Sequence, residues 1–244
     1  MINYNIRLKE VIKTFTKRLF YNLFDEQFEE TVFLKKTFLE ITSKLDIKEG
    51  ERIWNEFQDQ FLTIREKLNL DAVSFLKNDP ASTCIEEVYL AYPGFYAISI
   101  YRLSHQLYLL KVPIMPRMMS EYVHGVTGID IHPGATIGES FFVDHGTGIV
   151  IGETSIIKNN VKIFQGVTLG GLQVKKSMQS SKRHPTIEEN VTIYANATIL
   201  GGDIVIGANS TIGANVWITQ SVPENSLVTY QTEIKIRPKN NGIH

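Results

Sequence analysis

The chain has 244 residues, 43% of them hydrophobic, with 25 Lys and Arg against 26 Asp and Glu, which is enough apolar content for one large domain or two modest ones. The balance of charge excludes the global field of a nucleic-acid or anionic-membrane binder, so any polyanion must be held by a local patch. One cysteine, Cys84, excludes an intramolecular disulfide, Met1 to Phe24 mixes charges throughout, and no stretch has the roughly 18 apolar residues of a membrane span; the expectation is a cytoplasmic protein with a small substrate.

From Asn5 to Glu121 apolar residues recur at spacings of three and four, as in Trp54, Phe57, Phe61 and Ile64, with charged residues between them. This period predicts helices. Breaks fall near Asp25, at Lys48-Glu49-Gly50, at Asp79-Pro80 and at Tyr92-Pro93-Gly94, and Pro116 suits the first turn of a last helix. Five to seven short helices are expected over residues 1–125. The aromatic faces between Phe15 and Phe61 form either the core of that helical unit or a surface that pairs with another subunit.

After Gly128 the period becomes six. Ile131, Ile137, Val143, Ile149, Ser155, Val161 and Val167 fall in one frame, with Ile151, Ile157, Ile163 and Leu169 beside it. The period resumes as Ile187, Ile193 and Ile199, then, shifted by one residue at Gly201-Gly202, as Ile204, Ser210, Val216 and Val222 beside Ile206, Ile212 and Ile218. A short fixed period marks a solenoid in which each turn buries its aliphatic row against the next. The glycines after many of these aliphatics (Gly138, Gly152, Gly170, Gly207, Gly213) are expected at tight corners, where they tolerate unusual dihedrals. Three short strands per turn would close a triangular coil over residues 126–228, followed by a tail at 229–244.

Residues 171–184 interrupt the repeat and gather Lys175, Lys176, Lys182 and Arg183 on a projecting loop, where a solvated insertion and a contact for a nucleotide diphosphate are both open readings. His145 stands in Val143-Asp-His-Gly-Thr-Gly148, polar on both sides and so a poor core residue. A histidine held by a carboxylate can take a proton from an alcohol at neutral pH, and Asp130 and Asp144 are the nearby candidates. Cys84 has no histidine partner in the sequence, which argues against a covalent acyl-cysteine route.

Taken together, Asp79-Pro-Ala81, Tyr92-Pro-Gly-Phe95, Tyr101-Arg-Leu-Ser-His105, Ile129-Asp-Ile-His-Pro133, Val143-Asp-His-Gly-Thr-Gly-Ile-Val-Ile-Gly-Glu153, Gln165-Gly-Val-Thr-Leu-Gly-Gly171 and Lys182-Arg-His-Pro185 resemble the serine O-acetyltransferase family. The resemblance is specific over residues 79 to 225 and looser over the first 75. It implies an α + β chain, with an all-helical N-terminal domain and a left-handed parallel β-helix of hexapeptide repeats, that usually trimerises, and it leaves a homotrimer and a dimer of trimers both open. It implies transfer of acetyl from acetyl-CoA to L-serine, with no metal and no permanently bound cofactor. Position by position, it makes His145 the general base and Asp130 the aspartate that orients it. Asp79 and Asp144 then face the serine ammonium, and Arg183 and His184 grip its carboxylate. Gly171, Ala195 and Ala214 leave room for acetyl-CoA. Cysteine is the implied feedback inhibitor. The family's tail often ends in an isoleucine that enters the active site of O-acetylserine sulfhydrylase, whereas here the last residues are Ile243 and His244.

The sequence departs from the family pattern in its longer 171–184 loop, in Tyr194 at a corner usually small, and in the extra residue at Gly201-Gly202. Three other readings compete. An acetyltransferase for sugars or xenobiotics would not need the Asp79 and Arg183 clamp. A β-helical zinc carbonic anhydrase needs three converging histidines, for which His132, His145 and His184 lack the close spacing. A non-catalytic scaffold leaves the polar Asp144-His145 corner unexplained.

Overall fold

The computed structural model describes residues 6–24, 30–172 and 181–231. Among the described residues seven helices come first: α1 (Leu8–Phe24), α2 (Thr31–Lys44), α3 (Gly50–Gln58), α4 (Phe61–Asn78), α5 (Ile85–Ala91), α6 (Pro93–Leu109) and α7 (Met115–Thr127). Their ends follow the local chemistry. Pro93 opens α6 and Pro116 lies in the first turn of α7, where a missing N–H is not needed, and α7 stops at Gly128, whose φ of 73° few other residues adopt. The aromatic faces are core, since Phe15, Phe38, Trp54 and Phe57 are fully buried and Phe38 meets Trp54 at 5.4 Å between ring centroids.

The rest of the described chain is a parallel β-helix of five turns. The first turn runs β1 (Asp130–Ile131), β2 (Thr136–Ile137), β3 (Phe142–Asp144), and the second runs β4 (Val150–Ile151), β5 (Ile156–Ile157), β6 (Lys162–Phe164). The third is β7 (Thr168–Gly170), β8 (Thr186–Ile187), β9 (Thr192–Ile193), and the fourth is β10 (Thr198–Leu200), β11 (Val205–Ile206), β12 (Thr211–Ile212). The fifth has β13 (Trp217–Ile218) and β14 (Leu227–Val228), with Val222 bridging to Ile206 between them. Strands stack as three parallel faces: β1-β4-β7-β10-β13, β2-β5-β8-β11 and β3-β6-β9-β12-β14.

The pairing corrects the apparent single frame. Ile131 pairs with Ile151 and Val143 with Ile163, twenty residues apart, whereas Ile151 pairs with Leu169, eighteen apart. Two residues are therefore inserted between Val143 and Ile151. Because the two inward rows are themselves offset by two, the insertion moves the sequence frame from one row to the other. Ile149, Ser155 and Val161 thus stack above Ile129, Ala135 and Phe141, while Ile151, Ile157 and Ile163 continue the row of Ile131, Ile137 and Val143. Two further irregularities lie where the sequence puts them, at the 171–184 loop and at Gly201-Gly202, but the sequence frame hides another: Ile206 bridges to Val222 and Ile212 pairs with Val228, sixteen residues apart, so the fifth turn is two residues short and Val222 continues the row of Ile206, not that of Val216.

The glycines are also explained differently from expectation. Gly138, Gly152, Gly170, Gly207 and Gly213 are absent from the left-handed positions, and the corner dihedrals fall instead to asparagines such as Asn160, Asn190, Asn196, Asn209 and Asn215, all with φ near 60°. Amides of successive turns bond, as in Asn190 to Asn209 at 3.0 Å. The glycines serve close approach: a Cβ on Gly207 would lie 2.3 Å from the Glu224 nitrogen, and one on Gly138 2.8 Å from the Lys158 carbonyl carbon.

The helices cap the first turn through one continuous core. Phe75 of α4 meets Phe142 edge to face at 4.9 Å, the Tyr101 hydroxyl donates to the Ala135 carbonyl at 2.6 Å, and Gly94 leaves no room for a side chain against the Val143 carbonyl. At the same joint Arg102 of α6 and Asp71 of α4 form a buried, two-toothed ion pair with distances of 2.6 and 2.8 Å. No helix among the described residues is long and apolar enough to cross a membrane.

Candidate active site

The two inserted residues build the corner where the third face meets the first. His145 and Gly146 both adopt left-handed backbone, at φ 54° and 85°, and a Cβ on Gly146 would strike Ile129 at 2.4 Å. The sharp bend carries the His145 side chain clear of the prism, leaving it 73% exposed. Asp144, the last residue of β3, places a carboxylate oxygen 3.8 Å from Nε2, within Coulombic reach but too long for a hydrogen bond.

Helical residues reach the same corner from the end that the first turn forms. Asp79, the residue after α4, accepts a hydrogen bond from the Tyr92 hydroxyl at 2.6 Å and from the Ala81 amide at 2.8 Å. Tyr92 immediately precedes α6, whose second residue, Gly94, rests on the carbonyl of Val143, the residue before Asp144. The fold thus brings Asp79 and Asp144 to the same end of the β-helix. Asp130 opens β1 on the adjoining face. Its carboxylate lies 3.9 Å from a guanidinium nitrogen of Arg117 on α7, and Arg117 also pairs with Glu121. Glu121, His124 and Asp130 hold ligand-type atoms within 4.8 Å of one another.

Arg183 and His184 lie elsewhere, at the corner between the first and second faces. That corner is formed by His132 after β1, by Glu153 and Thr154 after β4, and by the returning end of the long loop before β8. Arg183 ion-pairs with Glu153, whose other oxygen accepts from the Tyr108 hydroxyl at 3.0 Å. Burial pushes the Glu153 carboxyl up, but the bonds from Arg183 and Tyr108 outweigh it and hold the group below the usual carboxylate range. Lys182 turns back onto the second turn, donating to the Thr154 carbonyl at 3.1 Å and to the His184 carbonyl, so it is engaged with backbone. Lys175, Lys176, Ile243 and His244 lie outside the described residues. Of the small positions, Gly171 begins the loop at this corner, whereas Ala195 and Ala214 sit on the His145 corner in higher turns, joined by the Asn215 amide bonding the Ala195 carbonyl at 2.9 Å. Tyr194 stacks on Phe164 at 4.8 Å, which gives the large residue its place.

Apart from Asp130, which lies on the first face beside Arg117, the proposed residues therefore divide between two corners of one prism: Asp79, Asp144, His145, Ala195 and Ala214 on one side, Gly171, Arg183 and His184 on the other. Tyr92, Tyr108, Glu153 and Thr154, which support these groups, escaped the sequence reading. Tyr92 and Glu153 stand in the motifs that carry the family resemblance but have no role of their own there, and the one signal of Thr154 is its place at the polar corner after Ile151-Gly152.

Three histidines near these corners are held below their ordinary values. Burial lowers His105, His132 and His184, and for His184 the Arg183 guanidinium adds to it, bringing the ring to about 4. Below pH 6.5 the unfolded chain binds protons that the folded chain refuses, so stability falls as pH falls from 6.5 toward 4, at roughly 1.4 kcal/mol per pH unit for each proton taken up. Denaturant unfolding at several pH values checks this. His184→Asn should flatten part of the slope, and an unaltered slope in that variant would contradict the assignment.

Comparison with known proteins adds a consistent picture. The family described as bacterial transferase hexapeptide (six repeats) matches residues 184–220. The plasmid serine acetyltransferase of Synechococcus elongatus is 41% identical over 222 residues, covering 88% of this chain and 69% of that protein. The serine acetyltransferase of Bacillus subtilis is 49% identical over 123 residues, covering 50% of this chain and 55% of that protein. Among solved structures, serine acetyltransferase isoform 3 of Entamoeba histolytica in complex with cysteine superposes with a TM-score of 0.82 at 36% identity, covering 95% of this chain and 84% of that one. The Neisseria gonorrhoeae serine acetyltransferase in complex with serine gives 0.68 at 29% identity, covering 91% and 82%. With seven helices capping a hexapeptide β-helix and relatives of one kind aligned over most of its length, the chain belongs to the serine acetyltransferase family.

Proposed function

We propose that the protein transfers the acetyl group of acetyl-CoA to the hydroxyl of L-serine with His145 as general base. The observation that carries this reading is the corner itself: two residues are inserted between Val143 and Ile151, and the bend they make presents an exposed imidazole beside Asp144, at the end of the β-helix that Asp79 also reaches. The imidazole takes the serine hydroxyl proton as the oxygen attacks the thioester carbonyl carbon. The carbon–sulfur bond then breaks, and the imidazolium returns the proton to the CoA thiolate. Asp130 orients and steadies the imidazolium once the ring turns toward β1.

A zwitterionic amino acid needs opposite charges at its two ends, and these are present on the two corners. Asp79 and Asp144 take the ammonium, and Arg183 and His184 take the carboxylate. Their separation on one prism supports a site completed between copies, in which the His145 corner of one subunit meets the Arg183 corner of the next in a homotrimer, with pairing of trimers through the helices. Ala195 and Ala214 rise about 10 and 14 Å above His145, at ~4.8 Å per turn, along the same corner, and Gly171 faces them from the neighbour. This leaves a smooth track for the pantetheine. Cysteine shares the ammonium and carboxylate of serine and is expected to compete for the same clamp as a feedback inhibitor.

The test is release of free CoA from acetyl-CoA with L-serine, homoserine, threonine or a simple sugar as acceptor. Serine should exceed homoserine by about tenfold or more in kcat/KM, the discrimination one methylene permits. Equal turnover of the sugar would overturn the amino-acid clamp.

A further inference from the structure

We infer that Thr154 is a positioning residue for the carboxylate clamp: it pins the Arg183–His184 backbone to the second turn and fixes His184 as the tautomer protonated on Nε2. The inference rests on the reading that Arg183 and His184 receive the serine carboxylate. It starts from a problem the fold sets. Ile157 pairs with Ile187, thirty residues apart where the regular turn spans eighteen, so twelve extra residues leave the prism and must be returned to it in register. The returning end is held at Thr154. The amide N–H groups of Arg183 and His184 both donate to the Thr154 Oγ1, at 2.9 and 3.1 Å. The same oxygen lies 2.9 Å from His184 Nδ1, and the Thr154 amide donates to that nitrogen at 3.0 Å.

The proton positions follow from donor chemistry. A backbone amide only donates, so Nδ1 accepts and carries no proton. A hydroxyl has two acceptor lone pairs and one proton. At Thr154 the lone pairs receive the two amides and the proton goes to Nδ1, whose single lone pair it shares with the Thr154 amide, so the hydroxyl's hydrogen-bonding capacity is fully used. The neutral ring then holds its proton on Nε2, leaving that N–H to donate to a carboxylate oxygen while Arg183 supplies the charge. The ring cannot slide from this position, because it occupies the space above Gly152, where a Cβ would lie 2.1 Å from it. Alanine in place of threonine would leave two buried amides without acceptors.

Full-length Thr154→Val, which keeps the shape and removes the hydroxyl, should raise the serine KM by about tenfold while the acetyl-CoA KM stays within about twofold, the change expected for losing hydrogen bonds at one end of one substrate. Thr154→Ser should restore the serine KM. An unchanged serine KM in the valine variant, or an equal rise for both substrates that serine does not rescue, overturns the inference. Long-range ¹H–¹⁵N spectra of histidine-labelled wild-type protein, with His184 identified through His184→Asn, give an independent reading: a protonated Nε2 and bare Nδ1 support the lock, and a protonated Nδ1 refutes it. Arg183→Ala separates this inference from the reading beneath it. If that variant keeps the wild-type serine KM, the clamp reading falls, while the tautomer result still decides the role of Thr154.

Discussion

Replacing His145 with alanine or asparagine is expected to lower kcat for serine acetylation by about 10²–10⁴-fold, the range that a positioned general base contributes. The asparagine variant is the sharper one. His145 adopts φ 54°, a left-handed backbone that costs alanine more than asparagine, and asparagine fills such corners elsewhere in this coil at Asn196 and Asn215. His145→Asn should therefore unfold at the wild-type temperature, since the side chain it replaces is 73% exposed. Loss of turnover in a protein of unaltered stability assigns the effect to chemistry. Wild-type turnover in both variants would remove the base.

The same substitution tests how the site is assembled. His145 and Arg183 lie on different corners, so under the proposed assembly a His145→Asn chain and an Arg183→Ala chain are each expected to be defective in the homotrimer of that chain alone. If the site spans two copies, co-assembling the two defective chains creates some sites with a native histidine from one and a native arginine from the other. Activity should then reappear on mixing after dissociation, and not on mixing intact oligomers. No recovery in verified mixed trimers would place both groups in one subunit's site and contradict the division.

The sequence read well where physics is local. Period three to four gave the helices, Pro93 and Pro116 marked two starts, and period six gave the coil, because each of these depends on neighbours along the chain. It misled where two turns meet. The row from Ile131 to Val167 looked unbroken because an insertion of two residues equals the offset between the two inward rows, so the event that builds the His145 corner left no gap in the pattern. Gly138 and Gly207 were read as corner residues, although their reason is the next turn passing within 2.8 and 2.3 Å. Thr154 and Glu153 had no legible role for the same reason: their partners, Arg183 and His184, are thirty residues away and reach them only after the coil has closed.

The helical domain and the β-helix should come apart when the Arg102–Asp71 pair is broken from one side. Arg102 donates to both Asp71 oxygens and, from the same guanidinium, to the carbonyls of Gly138 at 2.7 Å and Ile137 at 3.3 Å, while the Phe141 amide donates to Asp71 at 2.9 Å. Both side chains are almost completely buried. Arg102→Met keeps much of the volume but strands a carboxylate and two carbonyls away from water, and removal of one partner from a buried pair costs about 3–5 kcal/mol. For a chain of this length that lowers the melting temperature by on the order of 10 °C. Arg102→Met with Asp71→Leu should recover part of the loss, because the stranded charge is gone, although the Phe141 amide then lacks its acceptor. The pair also bears on the site: Asp71 and Asp79 lie two turns apart on and just beyond α4, which Phe75 presses onto Phe142 of β3, two residues before Asp144. Loosening this joint should raise the serine KM more than the acetyl-CoA KM, since Asp79, just beyond α4, is the proposed ammonium contact. Melting curves and kinetics on the single and double variants decide it, and an Arg102→Met protein that melts with the wild type would mean that the joint is held without the ion pair.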